Sequence, residues 1–158
     1  NNPLNVSDLN WKGEVGIDTN TEHEAIFSDV TYGIRAAALN LYAYYYIHNL
    51  KTISDIINRW APKNDSAAKN NPDEYAQYVS DATGIDVNTQ FDFTPENLKA
   101  IMKAMCNFEL GSNYAALISE DDWNTGLNMT NKFVTQLKTG TNILLILIIG
   151  FVIFKFVK

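Results

Sequence analysis

Glu109 is the side chain whose type and position in this 158-residue chain point most directly to chemistry. With about 100° per residue around a helix and Ile101 as origin, Leu98 falls at about 60°, Met105 at about 40°, Met102 at about 100°, Phe108 at about −20° and Glu109 at about 80°. The carboxyl therefore lies inside an apolar stripe, where hydration is lost. It also lies in the last turn before Gly111, where the helix dipole disfavours negative charge. Both effects raise a carboxyl's pKa, the direction needed for a protonated acid that donates to a leaving glycosidic oxygen. The competing reading is a frayed helix end with Glu109 in water. A hydrolase would want a second carboxylate within about 5 to 9.5 Å, and Glu14, Glu22 and Glu24 are the N-terminal candidates. None of the three stands out as its partner.

Other conspicuous residues carry weaker signals. Tyr42, Tyr44, Tyr45 and Tyr46 form an aromatic band that suits packing between helices, and Tyr45 in it is a candidate for lining a sugar groove. Trp11 reads as a hairpin anchor whose indole face could also stack on a pyranose ring. His23 and His48 have no partner at metal-ligand spacing, and the single Cys106 excludes an internal disulfide or thiolate zinc site. No phosphate-binding Gly-rich loop or nucleophile elbow is present, so neither a metal nor a cofactor is expected.

The elements that must position these residues are mainly helical. Up to residue 27 the chain is rich in Asn, Asp and Gly, with short apolar runs at 14–17 and 25–27 that suggest one small hairpin. Ser28 or Asp29 can cap a helix running to about His48. Thr52-x-x-Asp55 is a capping-box variant for a short helix that stops near Pro62. Pro72 and Gly84 bracket a third helix, Thr94-Pro95 and Gly111 a fourth, and Ser119-x-x-Asp122 opens a fifth segment with Trp123.

Within these elements, the stretch Ala104-Met105-Cys106-Asn107-Phe108-Glu109-Leu110-Gly111-Ser112-Asn113-Tyr114 resembles the lysozyme-like transglycosylases and glucosaminidases, in which a helix ends in Glu before a Gly-containing turn. The blocks Asn1-Asn2-Pro3-Leu4-Asn5, Trp11-Lys12-Gly13, Tyr32-Gly33-Ile34-Arg35-Ala36 and Arg59-Trp60-Ala61-Pro62 are similar to a phage family with an Asn-Pro-Gly-Asn start. That family holds virion structural proteins and peptidoglycan-degrading enzymes; Leu4 stands here where its start has Gly. The resemblance, over about 1–114, implies a virion-associated protein with Glu109 as catalytic acid; Tyr114 in the same stretch, and Trp11 and Tyr45 from their aromatic type, are the substrate-binding candidates.

Charge and hydropathy divide the chain. Residues 1–130 hold 8 basic and 18 acidic side chains, whereas residues 131–158 hold four lysines and no acid. An acidic body lacks the footprint for a phosphate backbone, so no nucleic-acid partner is expected. The run ILLILIIGFVIF at 143–154 has no polar side chain. From Thr139 to Val157 it would extend for about 28 Å as a helix, close to a hydrocarbon core of about 30 Å. The expected organisation is a lysozyme-like soluble domain over 1–128 with a small N-terminal hairpin, a juxtamembrane linker over 129–142 and a transmembrane helix over 143–158. Residues 143–157 would meet a lipid bilayer.

The leading expectation is thus a membrane-anchored virion protein acting as a peptidoglycan lytic transglycosylase during genome entry. The alternative is a non-enzymatic minor structural protein that links a virion membrane to capsid proteins. A cleft with Glu109 at its floor would favour the enzyme, and a carboxylate covered by packing would favour the scaffold.

Overall fold

The computed structural model describes residues 1–21, 23–63, 71–131 and 133–135. Its elements are the strands β1 (Glu14–Ile17) and β2 (Ala25–Phe27), followed by the helices α1 (Val30–Tyr46), α2 (Ile53–Trp60), α3 (Pro72–Thr83), α4 (Pro95–Leu110), α5 (Ser112–Ala115) and α6 (Glu120–Asn128).

Apart from the short α5, the helices begin where short polar side chains can satisfy the first free N–H groups. Asp29 stays extended and accepts the Thr31 N–H at 2.8 Å, which starts α1. Thr52 with Asp55, and Ser119 with Asp122, form reciprocal capping boxes on α2 and α6. Asn71 and Thr94 cap α3 and α4, each followed by Pro at the first helical position, where the missing N–H costs nothing. At the far end of α3, Gly84 takes the left-handed conformation (φ 71°) that lets the chain leave the helix.

β1 and β2 pair antiparallel, with Glu14 opposite Phe27, Gly16 opposite Ile26 and Ile17 opposite Ala25, and a register shift between Glu14 and Gly16. The N-terminal segment runs along the other edge of β2, with a bridge between Ser7 and Glu24 and the Ala25 N–H donating to the Val6 carbonyl at 2.9 Å. Asn2 reinforces that edge. Its Nδ2 donates to the carbonyls of Val6 and Ala25, both at 2.9 Å, and its Oδ1 accepts the Val6 N–H at 2.9 Å.

α1 is the central element, touching α6, α4, α2 and β2, while α2 packs on α3 and α3 on α4. Its run Gly33-Ile34-Arg35-Ala36-Ala37-Ala38 explains why: only Arg35 in it is not buried, and the small side chains admit neighbours on several faces. Gly33 and Gly126 mark two close approaches to α1. A Cβ on Gly33 would lie 2.5 Å from the Asn1 carbonyl oxygen, and one on Gly126 would lie 2.6 Å from Ile34 Cγ2. α6 thus lies against α1 through a position that tolerates no side chain, beside the buried Trp123.

The expected fold class is corrected here. The described residues form a mainly helical body with a two-stranded hairpin, and no helix among them is long and apolar enough to cross a membrane. The longest, α1, has 17 residues and carries Arg35 and Asn40. Residues 143–158, on which the transmembrane expectation rested, lie outside the described residues, as does most of the expected linker.

The α1–α6 contact supplies a test. Overpacking a filled helix interface costs about 1–3 kcal/mol, so Gly126→Ala should lower the urea midpoint of unfolding by a corresponding amount with little change in slope. An unchanged midpoint would show that α6 yields freely.

Candidate functional site

α4 carries Glu109 on its final turn, and Gly111, with φ 78° and ψ 157°, turns the chain sharply out of the helix. Glu109 is only partly exposed, and both its oxygens accept hydrogen bonds from distant segments. Tyr75 of α3 donates its hydroxyl to Oε1 at 2.9 Å, and Asn5 donates Nδ2 to Oε2 at 3.2 Å. Trp60, the last residue of α2, contributes a further hydrogen bond to the carboxyl. One carboxyl therefore joins the N-terminal segment, α2, α3 and α4.

Each donor is held in place by its own surroundings. Tyr75 is buried and stacks on Phe108 with ring centroids 3.9 Å apart and planes 13° from parallel. Phe108 precedes Glu109 on α4, so the stack aligns the phenol with the carboxyl. Asn5 takes a left-handed conformation (φ 49°), which Asn tolerates better than most residues. The turn also closes through an Asn5 N–H bond to the Asn2 carbonyl at 3.3 Å, and it leaves the preceding Leu4 fully buried. Leu4 at the position where the resembling family has Gly is thus a core residue. Trp60 meets Tyr44 of α1 edge-on at 6.3 Å.

The electrostatics follow from this packing. Burial pushes the Glu109 pKa above its ordinary value of 4.5; the bonds from Tyr75, Asn5 and Trp60 oppose that, and the charge of Glu24 adds to the rise. Burial followed by the adjacent Glu109 charge pushes the Tyr75 phenol well up, so it remains a donor. Burial, then Glu109, pushes the Cys106 thiol up to about 11, which leaves it an inert packing group.

A cleft of about 350 Å³ lies beside this node, lined among others by Asn2, Asn5, Asp18, Glu24, Leu110 and Tyr114. Asn5 is the link, since it lines the cleft and bonds to Glu109. It also lines a smaller cleft of about 90 Å³ that holds Trp60. The structure brings Tyr114 of α5 to the larger cleft, 67% exposed. Trp11 is used elsewhere: its indole donates to the Ser7 carbonyl and its backbone N–H to Glu14, both at 2.9 Å, pinning the approach to β1. Tyr45 donates its hydroxyl to the Phe91 carbonyl at 2.6 Å, packs on Phe93 at 4.5 Å and carries Lys51 Nζ 3.5 Å above its ring. It anchors the loop before α4 and is not among Glu109's partners.

Of the three N-terminal carboxylates, Glu14 is engaged by Trp11, and Glu22 lies outside the described residues. Glu24 lines the cleft, with a pKa raised mainly by burial, and its charge reaches Glu109. Sequence reasoning did not find Asn5, Trp60 or Tyr75 as partners of Glu109.

The raised Glu109 pKa fixes the sign of a pH effect. The folded state binds this proton more tightly than the unfolded chain does, so its stabilisation is full below the unfolded pKa. It is lost as pH rises through the higher folded value. In melts across pH 4 to 7, the wild type should lose stability relative to Glu109→Gln as pH rises. Parallel curves would show that the carboxyl titrates alike in both states.

No protein-family model matches the chain. Over 118 residues it is 35% identical to Protein P5 of Pseudoalteromonas phage PM2, an alignment covering 72% of this chain and 69% of that relative. The comparison carries the phage half of the resemblance read from the sequence and lends no support to its lysozyme-like half. At that identity and coverage, the chain belongs to the phage protein family of Protein P5.

Proposed function

We propose that this chain is a structural component of a phage virion, with capsid proteins among its partners, and that Glu109 is the internal fastener of its fold. The observation that carries this reading is that both Glu109 oxygens are occupied by neutral donors reaching in from separate segments. A general acid must turn its proton toward substrate, whereas this carboxyl is turned toward Tyr75 and Asn5. Membership in a phage family supports the virion setting. Quantitative mass spectrometry of purified particles from the host phage should find the chain at a fixed ratio to the major capsid protein. Its absence from particles, with presence in infected cells, would overturn the reading.

The fastener role makes its own prediction. Tyr75→Phe removes one donor and leaves a half-buried carboxyl short of a partner, which should cost about 1–3 kcal/mol at neutral pH. The cost should shrink at pH 4 as Glu109 takes up a proton. A loss independent of pH would point to ring packing instead.

A second reading, a peptidoglycan lytic transglycosylase, is favoured by one observation: burial holds Glu109 toward its protonated form beside a polar cleft that also contains Glu24. In it, Glu109 would protonate the leaving oxygen and Tyr114 would meet the glycan. Zymography of the full chain on purified peptidoglycan, beside Glu109→Gln, separates the two. Clearing by the wild type alone supports the enzyme, equal clearing removes Glu109 from the mechanism, and no clearing leaves the structural role.

A further inference from the structure

A different cleft, of about 370 Å³, opens where α4, α5 and α6 converge. Its lining includes Lys103 and Asn107 of α4, Ser112 of α5, Ala116, and Glu120 and Trp123 of α6. The volume falls within the range of about 300–1,000 Å³ typical of small-molecule sites. Glu109 is not among its lining residues, so a ligand in this cleft is compatible with either role for that carboxyl.

The polar groups here differ in how they are used. Lys103 is ion-paired to Glu120, which Lys99 also meets at 2.6 Å, so the wall presents a neutralised pair. The side chains of Asn107 and Ser112 make no hydrogen bond among the described residues. Trp123 is 1% exposed, and its indole N–H is buried without an acceptor among the described residues. Buried donors in native proteins are nearly always satisfied, and an exception calls for a specific partner. An amide, a hydroxyl and an indole N–H without partners, gathered at one cleft, form an unused hydrogen-bonding set with an aromatic group at its base.

The composition selects the class of ligand. The charged lining residues, Lys103 and Glu120, are paired with each other, so neither an anion nor a cation finds an unpaired countercharge here, and an apolar molecule would leave three polar groups unmatched. We propose that this cleft binds a neutral polyhydroxylated ligand, a sugar unit, whose hydroxyls pair with Asn107 and Ser112 and one of whose oxygens accepts from the Trp123 indole. Only Ala115 among the four residues of α5 packs against the core, so a small shift of this turn would admit a ligand oxygen to the indole.

The indole N–H of Trp123 is the reporter, and those of Trp11 and Trp60 serve as internal controls. In nitrogen–proton correlation spectra of the full chain, titration with chitotriose or maltotriose should shift the Trp123 signal saturably while the other two stay in place. Binding should be at least tenfold weaker in Asn107→Ala/Ser112→Ala, whose remaining spectrum reports whether it is folded. Lys103→Met, a change at the exposed rim, gives a second variant in which binding should weaken only modestly. No Trp123 shift with either trisaccharide, a shift undiminished in the folded double variant, or a shift with inorganic phosphate alone would each overturn the proposal.

Discussion

The carboxyl of Glu109 receives hydrogen bonds from Tyr75, Asn5 and Trp60, and the arrangement of the described body depends on that convergence. Each donor ends a different segment's path: the N-terminal turn, the last residue of α2, and the inner face of α3. A half-buried carboxyl is costly without partners and specific with them, because displacing any one segment leaves an unmatched polar group. The node therefore sets the orientation of these segments more sharply than apolar packing does, since apolar packing is indifferent to direction.

The rest of the structure presents the donors to that carboxyl. Asn2 staples the N-terminal segment to β2, Leu4 is driven into the core, and the left-handed turn at Asn5 then aims its amide back at α4. Gly33 makes room for the same segment against α1, so a central helix, a strand edge and a turn cooperate to place one amide. Tyr75 reaches its place through the stack on Phe108, the residue adjacent to Glu109 itself.

This arrangement bears on what the chain does within its phage family. The same burial that raises the pKa of Glu109 in the direction of an acid catalyst also surrounds it with donors that prefer it ionised. Net burial prevails, but the oxygens remain committed to Asn5 and Tyr75. The cleft alongside, with Glu24 and an exposed Tyr114, gives the node a polar surface without turning the carboxyl into it.

Much of the fold was legible in the residues alone. Helix starts at Asp29, Thr52, Pro72, Thr94 and Ser119, and exits at Gly84 and Gly111, depend on interactions within a few residues, and sequence spacing reports those directly. The placement of Glu109 in an apolar stripe was likewise visible, because helical periodicity converts spacing into a face. The short α5 was missed, since four residues after a glycine carry too little pattern to read. Trp11 and Tyr45 donate to the Ser7 and Phe91 carbonyls, partners that the type of an aromatic residue does not reveal. What occupies Glu109 was decided only by tertiary structure: Asn5 is 104 residues away and Tyr75 is 34, and no local rule links them. Local interactions are written in order along the chain, whereas the partners of a buried charge are chosen by which segments the whole core brings together.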